Sequence, residues 1–172
     1  LRMSGNLLKN PSFEDASTLA FWDRSGVTSN PGDPQAFEGL KVAQLGPVTA
    51  DGAVAIISQR VLLPSGTQNL HVSFAVQNAV IDGTSTAPWR VTIQWLGGAP
   101  NTPVLLEETL VTRQAGMVTV DSNDWLTYVA VSGPKPTGAV YARLRFILQG
   151  DVIGATNFFQ GIQIDNVVLT TD

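Results

Sequence analysis

The segments Asn6-Leu-Leu-Lys-Asn-Pro-Ser-Phe-Glu14 and Ile162-Gln-Ile-Asp-Asn-Val-Val-Leu169 decide how this chain folds. The first reads as a short apolar strand running into a turn that ends on a carboxylate. The second reads as a strand with one aspartate set into an apolar alternation. An acid placed where a strand meets the core needs a partner, because burying an unpaired charge is costly. Two such acids at opposite ends of the chain could share one cation and tie the termini together.

Between these ends, helical periodicity is nearly absent and a period of two recurs, broken by frequent turn signals. Leu70, Val72, Phe74 and Val76 share one face of a strand over 70–77, and Val91, Ile93 and Trp95 share one face over 90–95. Over 140–148 the inward set is Val140, Leu144, Phe146 and Leu148. Further strands are expected at Lys41–Leu45, Ile56–Leu63, Val104–Leu110, Val118–Val120, Leu126–Ser132 and Ile162–Leu169. Turns are marked by Asn30-Pro-Gly32, Pro64-Ser-Gly66, Asp82-Gly83, Gly97-Gly98, Pro134-Lys-Pro136 and Gly150. Many short strands with one polar and one apolar face predict a single all-β domain over 1–172, an antiparallel β-sandwich of jelly-roll type.

Composition narrows the function classes. Only 14% of the 172 residues are charged against 44% hydrophobic, and the net charge is −4. An acidic chain without a basic run does not suit nucleic acid. Cysteine is absent, which removes disulfides, thiolate metal sites and a cysteine nucleophile. No stretch approaches the roughly 18 apolar residues of a membrane span, and no signal peptide is visible, so an exported protein would be represented by its mature form. Catalysis is not expected. His71 is the one histidine, with no nucleophile elbow or second histidine to complete a triad or a zinc site. Glu107 and Glu108 are adjacent on a strand, so they point to opposite faces and cannot flank one glycosidic bond.

The order Asn-Leu-Leu-x-Asn-Pro-Ser-Phe-Glu, Trp22, Glu38-Gly-Leu-Lys41, Ile57-Ser-Gln-Arg-Val61 and Ile-Asp-Asn-Val-Val-Leu spans nearly the whole chain. It resembles the calcium-containing jelly-roll modules related to galactose-binding domains, including carbohydrate-binding modules attached to bacterial xylanases and glucanases. It is also similar to a jelly-roll module on surface proteins of spore-forming bacteria. The resemblance implies an extracellular or cell-surface setting and a structural calcium. Its ligands would be the carbonyls of Ser12, Glu38 and Lys41 and the side chains of Glu14 and Asp165, a set suited to a hard cation. Without calcium, Glu14 would cap N–H groups of its own turn and Asp165 would pair with Lys41 or Arg60.

The resemblance also implies a glycan partner. Trp22 and Trp125 match core aromatic positions, whereas Trp89 follows the polar stretch Asn78–Pro88 and could present an exposed face for stacking on a sugar or fold back onto its loop. Phe158 and Phe159 could do the same. The outward positions His71, Ser73, Ala75, Gln77, Arg90, Thr92, Gln94, Tyr141, Arg143, Arg145 and Ile147 would form one donor-rich face if their strands are neighbours. Trp89, Arg90, Gln94, His71, Tyr141, Arg143 and Arg145 are therefore the candidate ligand-binding residues. Planar guanidinium and amide groups suit sugar hydroxyls, although polar residues on an exposed sheet face are also the default for a solvated surface. Low charge fits a second reading, a self-assembling subunit of a bacterial surface layer, spore coat or filament, with a homo-oligomer as the partner.

Overall fold

The computed structural model describes residues 5–48, 52–80, 88–113, 125–150 and 160–172, and these form ten strands and no helix. These are β1 (Asp23–Ser25), β2 (Thr28–Ser29), β3 (Ala43–Val48), β4 (Val54–Leu62), β5 (Leu70–Val80), β6 (Trp89–Leu96), β7 (Val104–Arg113), β8 (Leu126–Val131), β9 (Tyr141–Gln149) and β10 (Gln160–Thr171). Sheet I has the order β1-β4-β9-β6-β7 and sheet II the order β2-β3-β10-β5-β8. All paired strands are antiparallel. Apart from β2–β3 and β6–β7, consecutive strands lie in opposite sheets. The result is the expected antiparallel sandwich, in which two inner faces bury one core.

Alternation decides what enters that core. Sheet I contributes Ile57, Val91, Ile93, Trp95, Leu144, Phe146 and Leu148; sheet II contributes Leu45, Val72, Phe74, Ile164, Val167 and Leu169, all buried. Phe146 sits between the layers, edge-on to Phe74 at 5.1 Å between ring centroids and 6.3 Å from Trp22. Trp22 is buried, and its indole N–H donates to the Asn10 carbonyl.

The termini are tied together by amides. Leu7 N–H donates to the Leu169 carbonyl at 2.8 Å, and Val167 N–H donates to the Pro11 carbonyl at 3.0 Å. The Asn6 side chain donates to the Val167 carbonyl and accepts from the N–H groups of Leu8 and Leu169. This docking coincides with a register shift in β10 between Asp165 and Val168, where Asn166 adopts φ 47°. A bulge leaves backbone groups outside the ladder, and the N-terminal segment satisfies them.

Several expectations need correction. The short strands β1 and β2 carry no alternation long enough to be read, and they form by pairing with β4 and β3. Val140 precedes β9 and is exposed, while Ala142 fills the inward position. Trp125 is only half-buried; its indole N–H donates to the Gln35 carbonyl and its ring meets Phe37 outside the core. The strand expected at Val118–Val120 and the loop aromatics Phe158 and Phe159 lie outside the described residues.

Phe146→Ala should lower unfolding free energy by about 3–5 kcal/mol, the usual cost of emptying a core aromatic site. Val129→Ala, at a position 74% exposed, should stay within about 0.5 kcal/mol. Denaturant titration compares the two, and equal effects would contradict the packing described.

Candidate functional site

The outer face of sheet I gathers most of the candidate binding residues. Because β4, β9, β6 and β7 are adjacent, their outward side chains stand in cross-strand rows. One row runs Arg60, Arg143, Gln94 and Glu107. The next runs Asp23, Ser58, Arg145, Thr92 and Thr109. Rows containing Tyr141 and Leu96, and Ile147 and Arg90, flank these. Arg90, Gln94, Tyr141, Arg143 and Arg145 are thus brought together.

Glu107 and Glu108 point to opposite faces and have different partners. On the outer face, Arg145 donates to Glu107 at 2.7 Å, a contact that passes from β9 across β6 to β7. Gln94 also reaches Glu107 at 3.5 Å, the outer limit of hydrogen bonding. Glu108 faces the interior, accepting from the Trp95 indole and from Gly133 N–H. Arg60 lies over the Tyr141 ring with 4.9 Å to its centroid, and Arg90 touches the Gln149 side chain at 3.4 Å.

Three polar atoms on this face are buried without a hydrogen-bond partner: Thr92 Oγ1, Gln94 Oε1 and Arg143 Nε. Buried polar groups are nearly always paired, so three exceptions in one patch mark hydrogen-bonding capacity that the side chains of this face must shift to satisfy. Thr92 is 1% exposed although it points away from the core. Sequence reasoning placed Thr92 on the outer face but not among the binding candidates, and it passed over Glu107 and Arg60 as participants. Cross-strand register, which brings them beside Gln94 and Arg143, is not written in local alternation.

Two candidates are corrected. Trp89 is 3% exposed and packs edge-on against Phe74 and Tyr128 in the core, so it offers no stacking platform. The signal was present, since Trp89 continues the inward series Val91, Ile93 and Trp95. Its indole N–H is the remaining unpartnered buried polar atom among the described residues. His71 lies on β5, between β10 and β8 in sheet II, on the far side of the sandwich from Arg143. Its nearest acid is Asp172 at 3.9 Å.

The residues named for a cation occupy a second location, between the N-terminal turn and β10. Glu14 accepts from the N–H groups of Leu40 and Lys41 at 2.9 and 2.8 Å. It therefore caps the Glu38–Lys41 turn and not its own. Gly39 makes this possible: with φ 70°, it leaves no Cβ where the Glu14 carboxylate sits. Ser12 Oγ donates to Glu38 at 2.8 Å. Asp165, fully buried, accepts from Glu38 N–H at 2.8 Å and Asn166 N–H at 2.7 Å. Lys41 Nζ donates to the Asp15 carbonyl and Arg60 lies over Tyr141, so neither pairs with Asp165. The salt-bridge alternative is overturned. No group of three or more His, Cys, Asp or Glu side chains stands at metal-holding distance among the described residues. A cation here would draw on two carboxylates and on carbonyls, the mixed oxygen set of hard-ion sites.

No protein-family model and no curated protein matches the chain. Solved structures do match it. A cyclase from Fischerella sp. TAU is 17% identical, with TM-score 0.69 over 99% of this chain and 98% of that one. TmCBM61, solved in complex with β-1,4-galactotriose, is 18% identical, with TM-score 0.66 over 98% of this chain and 100% of that one. The CBM22-1 xylan-binding domain of Paenibacillus barcinonensis Xyn10C is 16% identical, with TM-score 0.62 over 99% and 97%. The chain also matches the enzymatically active domain of bacteriophage CBA120 tailspike protein 4 at 18% identity and TM-score 0.65, spanning only 21% of that protein. At these identities the likeness establishes the fold, which serves both binding modules and proteins with enzymatic names.

Burial pushes the Asp165 carboxyl up from 3.8 to about 6; Glu38 and Glu14 push the same way, against the two N–H donors. The folded chain then holds this proton more tightly than the unfolded chain, so ionising Asp165 opposes folding. Its contribution to stability should rise as pH falls from above 6 toward 3.8, by at most about 3 kcal/mol. In chelator, the wild-type melting temperature should therefore gain on that of Asp165→Ala as pH drops from 7 to 5. Parallel curves would contradict the assignment.

Proposed function

We propose that this chain is a non-catalytic carbohydrate-binding module of an extracellular or cell-surface protein, and that it binds a polysaccharide across the outer face of sheet I. The observation that carries the reading is the cross-strand patch of Arg60, Arg90, Gln94, Arg143 and Arg145, in which Gln94 and Arg143 each keep an unpartnered polar atom beneath the surface. Sugar hydroxyls donate and accept, so they complement guanidinium donors and a side-chain amide. Rigid strands hold these groups, which limits the ordering cost of binding. The fold shared with TmCBM61 and the Paenibacillus barcinonensis xylan-binding domain supports the same reading. Retention should be screened on neutral and charged polysaccharides by affinity electrophoresis. The wild-type protein should be retained on at least one, and Gln94→Ala should weaken that retention about tenfold or more, the cost of one lost hydrogen bond beside a group left unpaired. No retention on any polysaccharide would sink the proposal.

A self-assembling subunit is the second reading, and one observation favours it. The edge strands β7 and β8 expose Leu105, Leu106, Val129 and Val131, and exposed apolar edges are templates for association. A defined oligomer by light scattering, combined with no glycan retention, would select this reading.

A structural calcium completes the proposal, held by the Glu14 and Asp165 carboxylates and by carbonyls of Ser12, Glu38 and Lys41. Its support is the buried, unneutralised Asp165 beside Glu14 and Glu38; a divalent cation would offset that charge. Calcium at a hundredfold excess over its Kd should add about 2.7 kcal/mol to stability. Asp165→Ala should abolish the response, and an unchanged melting temperature on adding calcium to wild type would exclude the site.

A further inference from the structure

We infer that the polysaccharide taken by the outer face of sheet I is anionic and carries carboxylates, as uronic-acid polymers do; this rests on the binding reading above. Arg60, Arg90, Arg143 and Arg145 all stand on this face, against the acids Asp23 and Glu107. The chain as a whole has 14 acidic side chains and 10 basic ones, so the excess positive charge here opposes the sign of the molecule. Of the four arginines, only Arg145 has an ion-pair partner among the described residues.

Arg60 and Arg143 are directly opposite each other across β4 and β9. Like charges in that position repel, and no described acid lies within ion-pair distance of either. Arg60 is held over Tyr141, while Arg143 retains an unpartnered buried Nε. A carboxylate placed between them relieves the repulsion and accepts from both guanidinium groups, whose planar forks match carboxylate geometry. Gln94 in the neighbouring strand, partly exposed and opposite Arg143, stands beside them for a hydroxyl of the same sugar.

The experiment measures binding of polygalacturonate, neutral galactan, xylan and dextran sulfate by affinity electrophoresis at low and high salt. Polygalacturonate should be bound at least tenfold more tightly than either neutral polymer, and more weakly as salt rises. Arg143→Gln should reduce polygalacturonate binding tenfold or more, whereas Lys135→Gln, which removes the same charge elsewhere, should not. Thermal melts of both variants separate this from misfolding, and Arg143→Gln should melt no lower than wild type because it removes one of two like charges paired across β4 and β9. Equal or tighter binding of galactan or xylan would overturn the anionic inference and leave the module reading standing. Dextran sulfate bound as tightly as polygalacturonate would overturn the carboxylate assignment. Retention on none of the four, with retention on another neutral glycan, would also overturn it; retention on nothing at all would remove the module reading with it.

Discussion

Within the ladder that joins β6 to β9, Ile93 stands opposite Leu144 and Gln94 stands opposite Arg143. One register therefore sets two surfaces. Inward, it aligns Val91, Ile93 and Trp95 with Phe146, Leu144 and Ala142 to form half of the core. Outward, it aligns Arg90, Thr92 and Gln94 with Ile147, Arg145 and Arg143. A slip of β9 by one residue would turn its set over, burying Arg143 and Arg145 and exposing Phe146. The apolar side of the ladder thus enforces the geometry of the polar side, and the candidate site inherits its rigidity from the core beneath it.

The closing strand works differently. β10 must carry Asp165 into the interior and still pair with β3 and β5, and the register shift after Asp165 is where these demands meet. The bulge frees backbone groups that the Asn6 side chain and the Pro11 carbonyl satisfy. The carboxylate itself receives two N–H donors, yet burial keeps its ionisation unfavourable.

Alternation made the sandwich readable from sequence because burying one strand face imposes a period of two. Val72, Phe74, Ile93, Leu144 and Phe146 follow from it directly and are all buried. The same rule, carried one step further back from Val91, would have placed Trp89 in the core; the polar stretch before it obscured the series. The site was legible only in part. Local pattern says that Arg90, Gln94, Arg143 and Arg145 point outward, but it does not say which strands lie side by side. His71 was grouped with them because β5 alternates in the same way, and the sandwich puts it on the opposite side. Glu107 and Arg60 acquire their significance from pairing across β7 and β4, a long-range property. The turn at Glu38–Lys41 shows the same limit: Glu14 was expected near it, but its role as a cap on Leu40 and Lys41 depends on the absent side chain of Gly39.

The central claim is that the outer face of sheet I, and not sheet II or its edges, meets a saccharide. Backbone amide chemical-shift mapping during titration with an oligogalacturonide tests this most directly. Shifts should concentrate at 90–96 and 141–147, with smaller changes around Arg60 and Glu107 and none along β5 and β8. Shifts confined to β5, β8 or the exposed positions Val129 and Val131 would contradict it.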